Sequence, residues 1–253
     1  MADLGLKGQK ALITGGSRGF GRSAALLLAA EGVDVAVNYV SNAKAAEDVV
    51  RKAKEMGVRA IAVQADVADE DAVVQMVARV KKEFGRIDIL IHSAGISGLS
   101  PETTENWDRV IKVHLYSTYF LGREIAPIMT DQKYGKIVIV SSIAAHQCGA
   151  NAYCCGMAGK VCYAKGLAKS LASSNVTVNT VSPGNIFTEM LDPFVPADQR
   201  RPFSEKNIPL YRSREGIPEA DEVGKVLLFL VSDLASHITG QDIAVNGGQD
   251  IHY

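Results

Sequence analysis

Thr14-Gly15-Gly16-Ser17-Arg18-Gly19-Phe20-Gly21 follows an apolar run at Lys10–Thr14 and opens into the helical stretch Ser23-Ala24-Ala25-Leu26-Leu27-Leu28-Ala29-Ala30. Glycines allow a tight turn and let backbone approach a pyrophosphate. The N-terminus of the following helix adds free N–H groups and the positive end of its dipole. Standing between a strand and a helix, the stretch predicts a dinucleotide-binding turn with Gly15, Ser17, Arg18, Gly19, Phe20 and Gly21 as its contacts.

The chain beyond it repeats the same alternation. Strands are predicted at 10–14, 34–39, 60–65, 87–92, 136–141, 177–182 and 242–246, and helices near 19–31, 43–56, 69–84, 105–130, 158–173 and 219–232. Runs such as Ile87-Asp88-Ile89-Leu90-Ile91 and Lys136-Ile137-Val138-Ile139-Val140 are apolar nearly throughout, as strands buried on both faces of a parallel sheet are. The pattern predicts an α/β fold, three-layer and doubly wound (Rossmann), on a mainly parallel seven-stranded sheet. No linker or repeat divides residues 1–253, so a single domain is expected. One long irregular stretch, about 190–218, holds five prolines and follows a strand's C-terminal end. It is expected to act as a substrate-covering lid, with a plain surface loop as the alternative.

The balance of 27 Lys+Arg against 28 Asp+Glu excludes a dedicated nucleic-acid binder, and 47% hydrophobic residues exclude disorder. No apolar run approaches the ~18 residues of a membrane span, and Met1–Lys10 lacks the apolar core of a signal peptide. A cytoplasmic protein with neither nucleic-acid nor membrane partner is expected. Cys148, Cys154, Cys155 and Cys162 form no CxxC pair and no zinc-ligand spacing, so reduced structural thiols and no metal are expected.

The second predicted strand ends Val37-Asn38-Tyr39 with no Asp or Glu at its tip. An acidic residue there grips the ribose 2′-OH of NAD and repels a 2′-phosphate. Its absence, with Asn38 at the strand end and Arg18 in the glycine turn, favours NADPH over NADH; a solvated Arg18 is the alternative. Asp66-Val67 closes the third strand, where a carboxylate accepts from an adenine amino group or caps the next helix, a role equally open to Asp69. The fourth strand ends His92-Ser93-Ala94-Gly95, and small residues there let backbone approach the adenosine ribose.

These features, with Ser141-Ser142, Tyr153, Lys160 and Ser182-Pro183-Gly184-Asn185-Ile186-Phe187-Thr188, together resemble the short-chain dehydrogenase/reductase family from Lys7 to Gly248. The resemblance implies that Ser142 hydrogen-bonds a substrate oxygen, that Tyr153 supplies an acidic hydroxyl, and that Lys160 fixes the nicotinamide ribose. It implies also that Pro183 and Gly184 shape a turn beside the nicotinamide, that the Ile186 backbone meets its carboxamide, and that Thr188 contacts amide or phosphate. Family members assemble through the helix bearing the Tyr/Lys pair and its predecessor, which implies a homodimer or homotetramer.

The common family spacing is Tyr-x3-Lys, but position 157 is Met, with neither charge nor N–H. The next lysine gives Tyr153-x6-Lys160; Lys165 and Lys169 match no pattern. Seven helical steps return to within ~20° of one face but rise ~10 Å. Tyr153 is therefore expected on a turn ahead of the helix, with Gly156 and Gly159 delaying its start. Tyr-x6-Lys resembles the enoyl-acyl-carrier-protein reductases, one bacterial, NADPH-dependent subgroup of which also keeps TGxxxGxG. Other positions depart from family patterns. His114 stands where an Asn is usual, Ile143 where many enoyl reductases carry a second tyrosine, His92 at the first Asn of NNAG, and Asn246 at a closing Asp. His114 is expected as a packed helix residue rather than a base, and His146 either lines the pocket or lies on the surface.

The resemblance implies NADPH-dependent reduction of the C=C bond of an enoyl thioester carried on acyl carrier protein or CoA. Arg200, Arg201, Lys206, Arg212 and Arg214 in the lid would meet the acidic carrier, or form a solvated loop. Ser142 favours an alternative, carbonyl reduction of the 3-oxoacyl-acyl-carrier-protein or broad ketone reductase type, in which Tyr153 is the general acid. A non-catalytic NADPH-binding protein is the third reading.

Overall fold

β-Branched runs and amphipathic segments resolve into alternating strands and helices in a computed structural model that describes residues 3–214 and 216–251. The strands are β1 (Lys10–Thr14), β2 (Asp34–Tyr39), β3 (Ala60–Gln64), β4 (Ile89–His92), β5 (Gly135–Val140), β6 (Val176–Pro183) and β7 (Asp242–Val245). They form one sheet in the order β3-β2-β1-β4-β5-β6-β7, every pair parallel. Side chains alternate across the pleat, so Ala11 and Ile13 of β1 join one core while Leu12 joins the other. In β5, Val138 and Val140 face the first core, Ile137 and Ile139 the second. Each such buried aliphatic contributes about 1.5–3 kcal/mol, which is why these strands carry no polar face.

The helices α1 (Gly19–Ala30), α2 (Ala43–Glu55), α3 (Glu70–Phe84), α4 (Thr104–Ile111), α5 (Ser117–Gln132), α6 (Ala152–Leu171), α7 (Arg200–Asn207) and α8 (Ala220–Val231) supply the outer layers. Leu28 of α1, Val49 of α2 and Leu227 of α8 cover one face; Met76 of α3, Ile125 of α5 and Ala164 of α6 cover the other. The chain winds outward from β1 through β3, then returns to lay β4 against the other edge of β1. Strand order reverses there, and open α/β sheets bind ligands in the crevice outside the carboxyl ends at that point. Among the described residues no helix is long and apolar enough to cross a membrane.

Three expectations need correction. The helix expected near 105–130 is two helices joined by a π turn at Lys112–Tyr116. The helix expected from 158 begins at Ala152, because Asn151 caps it by accepting from Cys154 N at 2.9 Å and Glu102 Oε1 accepts from Ala152 N at 2.8 Å. Gly156 and Gly159 do not delay it; they make room for His114 and Leu115, which a Cβ would meet at 3.1 and 2.8 Å. The stretch at 190–218 is not irregular throughout, since it contains α7 and short 3₁₀ turns at Ala197–Gln199 and Pro209–Tyr211.

Candidate active site

The glycine turn closes over the end of β1 and enters α1. Gly15 sits at φ +62°, and a Cβ on it would lie 2.8 Å from Ala94 Cα; a Cβ on Gly21 would lie 2.4 Å from the Gly15 carbonyl oxygen. Only glycine permits both approaches. α1 has no side-chain cap and no acidic residue in its first turn, so its leading N–H groups are left for an anion. These groups border a cleft of about 330 Å³ at the strand-order reversal.

Gly15, Ser17, Arg18, Gly19, Phe20 and Asn38 line that cleft on one side. Asp66, Val67, Ser93, Ala94, Gly95 and Thr188 line it on the others. Asn38 is there by position only. Its Oδ1 accepts from Gly15 N at 3.2 Å and its Nδ2 donates to the Ala65 carbonyl at 3.0 Å, so the amide braces β2 against β3 and the turn. Asp66 accepts from Ala68 N at 3.0 Å and pairs with Arg109 at 3.0 Å, while Asp69 caps α3. Gly21, Lys160, Pro183, Gly184 and Ile186 are not on the cleft wall. Ile186 borders a separate groove with Asn185 and Asn246, and the Gly184 N–H is tied to the Val245 carbonyl at 3.0 Å. Tyr39, Ser41 and Asn42 at the mouth of β2, and Glu189 and Met190 after β6, also line the cleft. Sequence reasoning missed these five, although Ser41-Asn42 directly before a helix was a usable capping signal.

Off the wall of that cleft, Ser142 follows β5 and accepts from Ala144 N at 3.2 Å, starting a short 3₁₀ turn, while Tyr153 borders a separate cavity with Trp107 and Val110. Burial pushes the phenol of Tyr153 above its ordinary range, against the contrary pull of the Ser142 hydroxyl. Tyr153 therefore keeps its proton at neutral pH. It lies in the first turn of α6, not on a turn ahead of it.

Lys160 is 1% exposed, and its Nζ donates to the Val140 carbonyl at 3.0 Å. Burial alone brings its ammonium down to about 7. Met157 is also buried, its carbonyl accepting from Ser141 Oγ at 3.1 Å. His114, carried by the π turn, is fully buried and stacks edge-on against Tyr153 with ring centroids 5.4 Å apart. Burial, and then the charge of Lys160, hold it down to about 3, so it is a neutral imidazole. His92 closes a hydrogen-bonded chain. Thr14 Oγ1 lies 2.7 Å from its Nδ1, its Nε2 lies 2.9 Å from Ser117 Oγ, and Ser117 donates to the Val113 carbonyl at 2.6 Å. His146 is on the surface, with Nε2 2.6 Å from Asp242 Oδ2. The four cysteines are free. Arg200 pairs with Asp192, Arg201 with Glu205 at 2.9 Å, and Arg214 lies 3.9 Å from Glu222, so three of the five lid cations are paired within the chain.

A family model described as enoyl-(acyl carrier protein) reductase matches residues 15–250. The chain is 39% identical over 245 residues to the 3-oxoacyl-[acyl-carrier-protein] reductase FabG of Staphylococcus aureus strain Mu50, across 95% of this chain and 97% of that protein. It is 40% identical over 249 residues to the 3-oxoacyl-[acyl-carrier-protein] reductase of Synechocystis, across 96% and 97%. A short-chain dehydrogenase from Burkholderia cenocepacia, solved in complex with NADP, superposes with a TM-score of 0.85 at 32% identity, covering 97% of this chain and 99% of that one. The full-length relatives overturn the expected enoyl reduction, since they are named for reduction of a 3-oxo group.

Proposed function

The chain belongs to the short-chain dehydrogenase/reductase family and is an oxidoreductase of that type, and on that premise we propose that it reduces the 3-oxo group of an acyl thioester with NADPH. The observation that carries this reading is the full-length similarity to 3-oxoacyl-[acyl-carrier-protein] reductases, with the Ser142 hydroxyl acting on the protonated phenol of Tyr153 beyond the carboxyl end of β5. A serine hydroxyl and a phenol that keeps its proton form a pair suited to one carbonyl oxygen: one polarises it, the other protonates it.

The residues of the cleft fit a dinucleotide. The two glycine approaches leave a cradle that a Cβ would fill, and the uncapped start of α1 suits a pyrophosphate. NADPH is favoured because Tyr39 ends β2 where a carboxylate would repel a 2′-phosphate, and the exposed Arg18 stands on the cleft wall beside Ser41 and Asn42. When bound, the nicotinamide supplies the hydride that reduces the carbonyl carbon. Ser142 donates to the carbonyl oxygen and orients it. Tyr153 gives its proton to that oxygen as negative charge develops there, so ketone, hydride and proton yield the secondary alcohol. Lys160, buried and held to the Val140 carbonyl, adds positive charge in a low-dielectric interior, where charge acts strongly.

Mixing the protein with NADPH and acetoacetyl thioester, on CoA and on acyl carrier protein, tests the reading. Loss of reduced-nicotinamide absorbance is expected with the keto substrate, with a fall of roughly 100-fold or more in Tyr153→Phe. No turnover of any 3-oxoacyl thioester overturns it.

A further inference from the structure

Arg109, on α4, lines the dinucleotide cleft together with Val113. Its own helix offers it a carboxylate, because Glu105 stands at i−4 and a glutamate placed there pairs well with a guanidinium. The ion pair that Arg109 makes runs elsewhere. Its Nη2 donates to Oδ2 of Asp66, 43 positions away just past β3, at 3.0 Å. Both partners form part of the cleft wall, so the contact joins α4 to the end of β3 at the cleft itself.

Asp66 is held from its own side as well, since its Oδ1 accepts from Ala68 N at 3.0 Å. A carboxylate has about four lone-pair sites, so one more donor can be accepted from the cleft. The two side chains are 33% and 44% exposed, Asp66 and Arg109 respectively, which leaves both within reach of a ligand. Val67, Ala94 and Val113 add apolar surface to the same wall. Apolar contact, one acceptor and one planar cation together suit a flat heteroaromatic ring that bears an amino group. A phosphate fits Arg109 less well, because Asp66 already balances its charge. What the side chain offers instead is the face of its guanidinium, which stacks on rings as a lysine ammonium does not.

We propose that Arg109 is a binding residue for the nucleobase of the coenzyme, with its guanidinium held by Asp66 as the α4 wall of the adenine end of the cleft. The inference rests on the NADPH reading above and deepens it. That reading assigns the pyrophosphate to the start of α1 and the 2′ end to the tip of β2; this one assigns the base. A side chain already fixed by an ion pair loses little rotamer freedom when the ring arrives, so more of the contact appears as affinity.

Calorimetric titration of the full chain with NADPH, with adenosine 2′,5′-bisphosphate and with reduced nicotinamide mononucleotide separates the two halves of the coenzyme. Arg109→Ala is expected to raise the Kd of NADPH and of the bisphosphate at least about fivefold, and to leave that of the mononucleotide within about twofold. Arg109→Lys keeps a charge beside Asp66 without the plane, and is expected to recover less than about half of the lost factor. A smaller rise in Arg109→Ala overturns the proposal. Fuller recovery in Arg109→Lys also overturns it, since charge alone then accounts for the contact. Comparable weakening of the mononucleotide overturns it too, by showing a disturbance of the whole cleft. No acyl substrate enters these titrations. If wild type binds NADPH but reduces no 3-oxoacyl thioester, the reductase reading falls and the titrations still decide the role of Arg109. If wild type binds none of the three probes, this inference falls with the coenzyme assignment.

Discussion

Lys160 Nζ is anchored to the carbonyl of Val140, the last residue of β5 and two positions before Ser142. A helical side chain leans toward the N-terminus of its helix, so this lysine reaches back along α6 toward the level of Met157. The wider spacing from Tyr153 is thereby partly recovered by side-chain length. What is not recovered is contact with the phenol, whose titration is governed by burial and Ser142.

The buried amine has a cost that depends on pH. Its pKa falls from 10.5 to about 7 on folding, so the unfolded chain binds the extra proton between those values. Stability contributed by this group therefore rises with pH across that window, and the penalty is full below about 7. The displacement corresponds to about 4 kcal/mol at neutral pH. Lys160→Met is expected to raise the urea midpoint at neutral pH, with much less gain near pH 10, while keto-thioester reduction falls. Unfolding curves at the two pH values check the sign.

Two glycines of α6 are expected to respond oppositely to alanine. At Gly166 a Cβ meets nothing within 4 Å, so Gly166→Ala should add about 0.5–1 kcal/mol through helix propensity. At Gly156 the added methyl presses on His114, which cannot retreat because Gly95 backs it and Ile96 holds its Nε2. Gly156→Ala should cost about 1 kcal/mol net, overpacking outweighing propensity. Urea midpoints of the pair, measured together, test the difference.

Asp242 ties the edge of the sheet to the segment that carries Ser142. It accepts from Thr180 Oγ1 at 2.5 Å and Ser182 Oγ at 2.9 Å, and its other oxygen meets His146. Asp242→Ala leaves two buried hydroxyls short of a partner and should cost about 2–3 kcal/mol. His146→Ala removes a partner on the protein surface and should cost under about 1 kcal/mol. It should nevertheless lower kcat several-fold by loosening the turn after Ser142. Chemical denaturation and steady-state kinetics on both variants separate the two effects.

Coenzyme preference is expected to turn on the tip of β2. Tyr39→Asp places a carboxylate on the cleft wall, where it repels a 2′-phosphate and accepts from a 2′-OH. The Kd for NADPH should rise at least about tenfold, while that for NADH changes little or improves. Fluorescence titration with both nucleotides measures it; an unchanged NADPH Kd would refute the assignment of the 2′ end.

Much of the fold was legible because the strands here are apolar on both faces. Lys136–Val140 is strand-like by composition whatever surrounds it, and the glycine turn is fixed by backbone approaches that exclude a Cβ. The errors came from residues whose meaning depends on a neighbour distant in sequence. Gly156 and Gly159 read as helix breakers, yet they are gaps filled by His114 and Leu115. The π turn at Lys112–Tyr116 is a shift in hydrogen-bond register with no compositional mark. α7, with the sequence Arg-Arg-Pro-Phe-Ser-Glu-Lys-Asn, has too little apolar periodicity to announce itself. In the site, the start of α6 at Ala152 rather than beyond Tyr153 was hidden because its cap depends on Asn151 and on Glu102, fifty residues away, and the assigned reaction changed on the full-length relatives.

The chain from Thr14 through His92 and Ser117 to the Val113 carbonyl has a direction. Each hydroxyl or ring nitrogen hands its one hydrogen onward, and the terminal carbonyl can only receive. Such a relay tolerates no single exchange that removes a hydroxyl or a ring nitrogen, because losing any member orphans the neighbour on either side. Positions 14, 92 and 117 are thus expected to drift only as a set among descendants of this sequence, and an engineer transplanting one of them into a cousin would have to carry the other two along.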